Sequence, residues 1–357
     1  MAPASAYGAR TRRPIRAESP PGASALSSGA TLFLDRSRGG ISSVMDMGRR
    51  LRFIPPGGCL VEVTNRTIQG RFLLRPSAEL NRLLIGVLGR AQRRYGVRLH
   101  AFQVLSNHYH LLLTVESAQQ LARFVGYFQG NLAKEAGRLH QWRGPFWHRR
   151  YQHVIVSDEE AAQIARLRYI MSNSCKENLV SSPLEWPGVS STRPLLLGVR
   201  LEGIWVDRTK KRLGGGTVAS QDPPPHWERE YVVFEPIPCW HRLKSTVVRK
   251  RIAELVSEIE AEAEARHRAR GSRPSGVPKV LRQDPHDKPL KSKWSPAPLV
   301  HCASREARDL LREAYSSFVE AFRDTATRLR SACLLDNFPD GAFPPRIPHQ
   351  QHARAPG

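Results

Sequence analysis

The feature that most constrains the fold is the ten-residue stretch 106–115, with the sequence Ser-Asn-His-Tyr-His-Leu-Leu-Leu-Thr-Val. Its second half is aliphatic and ends in a β-branched pair, which favours a β-strand. Successive side chains of a strand point to opposite faces, so His108 and His110 share one face and Tyr109 takes the other. Two neighbouring imidazoles on a rigid element suit a metal ion, although two polar residues on a solvated strand face would give the same pattern.

The composition points to a polyanionic partner. The 357 residues carry 55 Lys and Arg against 32 Asp and Glu, a formal net charge of +23. This excess favours nucleic acid as the partner, with a membrane surface second. No apolar run approaches the ~20 residues that cross a bilayer, and the N-terminus lacks a secretory signal. The five scattered cysteines without a CxxC pair argue against a zinc ribbon or a disulfide framework. A cytoplasmic, nucleoid-associated protein is therefore expected.

Apolar periodicity predicts an α+β fold with the element order β-α-β-β-α-β. Capping and turn residues mark where each helix and strand begins and ends. The elements are a strand at 59–64, a helix at 77–95, a strand at 97–105, the strand of the HxH stretch, a helix at 117–139 and a strand at 152–156. This order is ferredoxin-like: an antiparallel sheet with both helices on one face. The other face would then be free for a ligand.

A further helix is predicted from residue 157 or 158 to about residue 173, because acidic residues follow a capping serine. It carries Tyr169 and, one turn later, Asn173. Residues four apart on a helix project side by side. A packed tyrosine and a C-terminal asparagine cap would explain the same pair equally well.

Four short segments then carry a family resemblance: 107–113, 144–151, 169–180 and 186–191. In this order they resemble motifs of the single-tyrosine HUH transposases, which have a transposase IS200-like domain, and in particular the REP-associated tyrosine transposase branch. The resemblance covers about residues 53–195. It implies a ferredoxin-like domain with a following catalytic helix, which cuts and rejoins single-stranded DNA through a 5′-phosphotyrosine link. A divalent metal, Mg²⁺ or Mn²⁺, is implied as cofactor, and no ATP.

The resemblance also assigns residues. It implies that His108, His110 and Asn173 hold the metal and that Tyr169 is the nucleophile. One segment departs from the family: where the pattern has Asn-Pro-Val-Lys-Ala-Gly after the tyrosine helix, residues 173–178 are Asn-Ser-Cys-Lys-Glu-Asn. The loss of the proline and the glycine alters the helix stop.

Basic and aromatic residues between the second helix and the fourth strand suggest a DNA-contact loop. Arginine pairs with phosphate and an aromatic ring can stack on an unpaired base, whereas a structural aromatic turn is the alternative. The predicted partner is single-stranded DNA, with hairpin-forming repeats as its expected form and a homodimer as one option for assembly. The predicted DNA-binding residues are Trp147, Arg149, Arg150, Arg93, Arg94 and Lys176.

The remaining chain is divided by composition. A disordered basic tail is predicted at 1–50, the transposase domain at 51–198, a linker at 199–245, a helical accessory region at 246–335 and a disordered tail at 336–357. Two amphipathic helices, at about 246–270 and 304–332, could dock on the core, bind a DNA hairpin or mediate self-association. Recognition of a DNA hairpin or target is the favoured role.

The sequence is compatible with three functions. The first is a transposase that uses Tyr169. The second is a domesticated nucleic-acid-binding protein with the same fold and no turnover. The third is a metal-dependent nuclease that uses water in place of the tyrosine.

Overall fold

The computed structural model describes residues 50–213, 224, 226–290, 298–332 and 338–344. The predicted N-terminal tail lies outside these ranges except for Arg50, and so do residues 336–337 and 345–357 of the predicted C-terminal tail. Within the described ranges, no helix has the length and apolar character needed to span a membrane.

The elements follow one another in the predicted order through the first half of the chain. In sequence they are β1 (Cys59–Arg66), α1 (Ala78–Tyr95), β2 (Arg98–Val104), β3 (His108–Val115), α2 (Ala118–Leu139), β4 (Gln152–Val156), α3 (Glu160–Met171), α4 (Asn173–Lys176), α5 (Thr192–Leu197), β5 (Leu201–Val206), α6 (Arg208–Leu213), β6 (Trp227–Val232), α7 (Ser245–Arg270), α8 (Val277–Leu281), β7 (Val300–His301) and α9 (Arg305–Ala332).

The main sheet is antiparallel through its first four strands, in the order β2-β3-β1-β4. The short strand β7 adds to β4 in parallel. The central position of β1 and β3 matters for the site, because their register pairs Thr64 with His110 and Arg66 with His108. The predicted α+β class with a mainly antiparallel sheet is confirmed.

Helices α1 and α2 cover one face of this sheet. The Ser77 hydroxyl accepts a hydrogen bond from Leu80 N at the start of α1, and Ser117 accepts one from Gln120 N at the start of α2. Gly96 ends α1 in the left-handed conformation. One hydrophobic core unites the apolar faces of both helices with the strands; it includes Leu84, Leu88, Phe124, Phe128, Val61, Val63, Leu111 and Leu113.

The opposite face of the sheet was expected to be free, and this expectation is wrong. A second core lies there, in which Leu60, Leu112 and Val156 pack with apolar residues of α3 and α7. The reason is visible in the strands, which are apolar on both faces and must be covered on both. One end of this face is polar and carries His108 and His110, with Glu62 beside them on β1.

Residues 199–245, predicted as a linker, contain the antiparallel pair β5 and β6. The pair packs on α1 so closely that a Cβ atom at Gly86 would overlap the backbone of Ile204. Alternating charges in β6 and the glycines between the strands concealed these elements in the sequence. The domain boundaries themselves stay a prediction.

The two C-terminal helices lie on the core. Ile252, Val256 and Ile259 of α7 belong to the second core, and Phe318 of α9 contacts Phe53 with ring centroids 5.1 Å apart. Docking on the core was one of three roles predicted for these helices, and the structure shows the packing that it requires. Recognition of a DNA hairpin by them stays a prediction.

Candidate active site

All four residues expected to carry the chemistry line one cavity of about 290 Å³. It opens between the ends of β1 and β3, the start of β4 and the junction of α3 with α4. Its lining consists of Thr64, Asn65, Arg66, Gln69, Gly70, His108, His110, His148, Arg149, Gln152, Tyr169, Asn173 and Glu177. The cavity lies where the polar end of the sheet meets the helix that carries Tyr169.

The two histidines are held in a form that suits metal ligation. Their ring centroids lie 5.2 Å apart, and they are 9% and 7% exposed. His108 Nδ1 lies 2.7 Å from Asn107 Oδ1, and His110 Nδ1 lies 2.6 Å from Glu62 Oε1. Within the described chain no hydrogen bond engages either Nε2 atom. Burial, together with the charges of His110 and Arg66, lowers the pKa of His108 well below its usual value, which leaves a neutral imidazole.

Glu62 was missed by the sequence interpretation. It lies at the centre of β1, is 2% exposed, and its Oε2 atom accepts a hydrogen bond from Arg166 Nη1 at 2.7 Å. Burial opposes ionisation of Glu62, but the hydrogen bond from His110 and the charges of His110 and Arg166 outweigh it and lower its pKa. The available signal was a carboxylate in the middle of an apolar strand, which is rarely buried without a partner.

Tyr169 stands between the histidine pair and two cations. Its ring meets the His110 ring edge-on, at 79° and with centroids 5.6 Å apart. The Arg166 guanidinium lies 5.2 Å and the Lys176 ammonium 4.6 Å from the tyrosine ring centroid. Burial and the charge of Glu62 raise the pKa of Tyr169, against the opposing effect of Arg166. At neutral pH the resting side chain is therefore a phenol.

Asn173 lies on the far side of a break in the predicted helix. α3 ends at Met171, and α4 begins at Asn173 after Ser172, whose hydroxyl donates to the Tyr169 carbonyl at 2.9 Å. Asn173 still lines the cavity with Tyr169 and is 3% exposed. Its Nδ2 atom is buried without a hydrogen-bond partner among the described residues. The predicted proximity of these two residues is thus present despite the break.

The donor set fits a divalent cation of mixed nitrogen and oxygen preference. Across the described residues, no group of three or more His, Cys, Asp and Glu side chains is arranged to hold a metal. The cavity instead offers two imidazole Nε2 atoms and the amide of Asn173, which can turn its oxygen inward because its Nδ2 atom holds no bond. Such a set leaves coordination positions for a phosphate oxygen and water.

The predicted DNA-binding residues divide into two groups. Arg149 lines the cavity and Lys176 borders the tyrosine ring. Arg150 donates to the Arg50 carbonyl at 2.5 Å, at the edge of the same loop. Arg93 and Arg94 do not reach the cavity.

These two arginines lie on α1, which faces β6. Arg93 pairs with Glu230 at 2.7 Å, and Arg94 lies 5.5 Å from the Tyr127 ring centroid. Both residues lie away from the cavity, and their DNA-binding role stays a prediction.

Trp147 is part of the packing. Its indole Nε1 donates to the Gln129 carbonyl at 3.1 Å, and its ring contacts Tyr109 and Phe146 at centroid distances of 5.6 and 4.9 Å. These contacts are those of a structural aromatic turn, the alternative to base stacking. Tyr109 is fully buried in the core, as expected, and its hydroxyl accepts from Gln129 Nε2 at 2.6 Å.

Residues 73–173 match a protein-family model described as "Transposase IS200 like". This part of the chain is similar to the IS200-like transposases. The matched segment begins shortly before α1, ends at Asn173, and includes both histidines and Tyr169. β1, which supplies Glu62, precedes the matched segment.

The solved structures that resemble the chain include two transposases. One is a REP-associated tyrosine transposase bound to a REP hairpin, with 18% identity, a TM-score of 0.36, and 43% of this chain and 88% of that chain covered. The other is a candidate transposase from Deinococcus radiodurans R1, with 22% identity, a TM-score of 0.24, and coverage of 34% and 94%. None of the curated proteins matches. The family match over residues 73–173 is thus the likeness on which the comparison rests.

Proposed function

We propose that this protein is a transposase that cleaves and rejoins single-stranded DNA through a covalent bond between Tyr169 and a 5′-phosphate. The observation that carries the proposal is the placement of the Tyr169 ring against His110, in a cavity that also holds His108 and Asn173. A nucleophile beside a pair of metal ligands is the arrangement that phosphodiester cleavage by a tyrosine needs.

The residues present fit a divalent cation. Mg²⁺ or Mn²⁺, held by Nε2 of both histidines and the amide oxygen of Asn173, would polarise the scissile phosphate as a Lewis acid and ease ionisation of the phenol. Glu62 and Asn107 orient the two imidazoles through their Nδ1 atoms, as outer partners of metal-bound histidines commonly do.

The proposed step conserves the number of phosphodiester bonds. Tyr169 Oη attacks phosphorus, the Oη–P bond forms, and the bond from phosphorus to the 3′ oxygen breaks. The phenol loses a proton and the departing 3′ oxygen gains one. Attack by the 3′-hydroxyl of another strand reverses the step and releases Tyr169. Because the phosphotyrosine retains the bond energy, no ATP is required.

Cations around Tyr169 would bind the DNA backbone and favour the phenolate. The Lys176 ammonium lies 4.6 Å from the tyrosine ring centroid, and Arg149 lines the same cavity. Both residue types contact phosphate oxygens in DNA complexes. The resemblance of the motifs to REP-associated tyrosine transposases suggests hairpin-forming repeats as the substrate, and with such a substrate the protein would act at the nucleoid.

A denaturing gel tests this proposal. The protein is incubated with Mn²⁺ and a labelled DNA hairpin that has single-stranded flanks. Wild-type protein should form a covalent adduct that Tyr169→Phe does not form. Tyr151→Phe is the matched control, because Tyr151 is buried in the core and should leave the adduct intact. Binding without cleavage would support the silent DNA-binding protein, and cleavage that survives Tyr169→Phe would support a nuclease that uses water.

A further inference from the structure

Glu62 is a buried carboxylate whose position needs an explanation. It lies on the central strand β1 between apolar neighbours on β3 and β4, since the register pairs it with Leu112 and with Val154. Removing a carboxylate from water costs several kcal/mol unless other groups compensate. Such a cost in the middle of a sheet suggests a role beyond stability.

The two oxygen atoms of Glu62 serve different partners. Oε1 accepts from His110 Nδ1 at 2.6 Å, a diagonal contact on one face of the β1–β3 pair. Because Nδ1 carries the donated proton, the lone pair of His110 is left on Nε2, the atom available to a metal. Asn107, the corresponding partner of His108, is neutral. Of the two histidines, only His110 is therefore supported by a full negative charge.

Oε2 of Glu62 ties the tyrosine helix to the sheet. It accepts from Arg166 Nη1 at 2.7 Å. Arg166 lies on α3 one turn before Tyr169, and its guanidinium is 5.2 Å from the tyrosine ring centroid. The Tyr169 ring in turn meets His110 edge-on. Each of the four side chains therefore contacts two of the others, and Glu62 connects the sheet to α3 through Arg166.

We propose that Glu62 is the positioning residue of this site: one oxygen orients His110 for the metal, and the other, through Arg166, holds Tyr169 in register with it. This inference rests on the proposed function. It assigns a task to a residue that lies outside the matched family segment. It also predicts that the effects of the two contacts can be measured separately. The contact of Oε1 with His110 should affect metal affinity, and the contact of Oε2 with Arg166 should affect the rate at which Tyr169 attacks.

The experiment compares full-length variants in two assays: Mn²⁺ binding without DNA, by electron paramagnetic resonance, and the rate of adduct formation at saturating Mn²⁺. Glu62→Gln should weaken Mn²⁺ binding about 10- to 100-fold. Arg166→Leu should slow adduct formation about tenfold or more while Mn²⁺ affinity changes by less than about threefold. A purely structural role would not divide the two effects in this way.

Glu230→Gln is the matched control. Glu230 is also a buried carboxylate with arginine partners, Arg90 and Arg93, but it lies on β6 away from the cavity. Its substitution should leave Mn²⁺ affinity within about twofold of wild type. Thermal unfolding of each variant shows whether it is folded. If Glu62→Gln does not fold, Glu62→Asp, which is too short to hold both partners, should show the same loss of Mn²⁺ affinity.

Wild-type Mn²⁺ affinity in folded Glu62→Gln, or in Glu62→Asp in its place, would overturn the proposal. An equal loss of Mn²⁺ affinity in Glu230→Gln would also overturn it. So would adduct formation by Arg166→Leu at the wild-type rate. Failure of the proposed function would look different. In that case wild-type protein would bind Mn²⁺ and form no adduct, and the Mn²⁺ comparison would still decide whether Glu62 supports His110.

Discussion

At the scale of single residues, the amide of Asn173 is buried in the cavity with its Nδ2 atom unpaired among the described residues. An unpaired buried amide nitrogen costs free energy, and a flip of the amide would place the oxygen in that position, where a bound cation would offset the cost. If Asn173 binds the cation, Asn173→Asp should raise Mn²⁺ affinity about tenfold by adding charge to an oxygen ligand. Asn173→Ala should lower it by a similar factor. Titration of both variants with Mn²⁺ measures the effect.

Asn65 provides the control for this prediction. It lines the same cavity, but its Nδ2 atom donates to the Arg149 carbonyl at 3.0 Å and its Oδ1 atom accepts from Arg66 N. Asn65→Asp adds the same charge without a free ligand atom, so its effect on Mn²⁺ affinity should be much smaller. Equal effects at both positions would mean that Asn173 acts through charge alone and not as a ligand.

His100 is a second residue with a measurable consequence. Burial, opposed by its hydrogen bond to the Glu235 carbonyl, lowers the pKa of His100 from 6.5 to about 4. Between these values the unfolded chain binds a proton that the folded protein does not. Stability should therefore fall as the pH drops from 6.5 towards 4, by up to about 3 kcal/mol from this residue.

Urea unfolding at about pH 7 and about pH 5 checks this expectation. His100→Gln should reduce the difference in unfolding free energy between the two conditions, although the half-buried His153, with its pKa also lowered to about 4, keeps part of it. Substitution of the exposed His241 by Gln should leave the difference unchanged. An undiminished pH dependence in His100→Gln would contradict the neutral state assigned to His100.

At the scale of elements, the docking of β5 on α1 depends on two glycines that allow their backbones to touch. A Cβ atom at Gly86 would overlap the Ile204 backbone, and one at Gly203 would overlap Gly86 N. Gly86→Ala should therefore destabilise the protein by about 1–3 kcal/mol or more, as overpacking does. Gly126→Ala, on an open face of α2, should stabilise it by about 0.5–1 kcal/mol. Thermal unfolding of both variants decides, and a harmless Gly86→Ala would mean that β5 does not pack there.

The elements that the sequence predicted well are those with a clear apolar period or cap. β3 follows from its aliphatic run, and α1 and α2 follow from their serine caps and regular leucine and phenylalanine spacing. β5 and β6 were missed because three of the six residues of β6 are charged and because both strands contact α1, which is distant in sequence. The break at Ser172 was missed because it depends on a local hydroxyl-to-carbonyl bond.

The same distinction applies to the site. His108, His110, Tyr169 and Asn173 were named from local spacing and from the family resemblance, and the structure brings them together. Glu62 and Arg166 were not, because their pairing requires the register of β1 against β3 and the position of α3 over the sheet. The ion pair of Arg93 with Glu230 was not predicted either, because β6 had not been recognised as a strand.

At the scale of the whole molecule, the C-terminal helices complete the hydrophobic core of the sheet. Ile259 of α7 is almost fully buried in the second core, which also contains Leu60 and Leu112 of the central strands. Ile259→Ala should therefore lower the unfolding free energy by about 2–5 kcal/mol. Leu310→Ala on α9 should change it by less than about 0.5 kcal/mol, because that side chain is 67% exposed. Equal, small effects would show that α7 is an independent accessory unit.

Mass spectrometry of the adduct shows whether Tyr169 becomes joined to DNA. After incubation with Mn²⁺ and hairpin DNA, nuclease and trypsin treatment leaves the peptide from Tyr169 to Lys176, which contains a single tyrosine. We expect a nucleotide remnant on this peptide, dependent on Mn²⁺ and absent when His110 is replaced by Ala. Cleaved DNA with Tyr169 unmodified, or a remnant on another tyrosine, would contradict it.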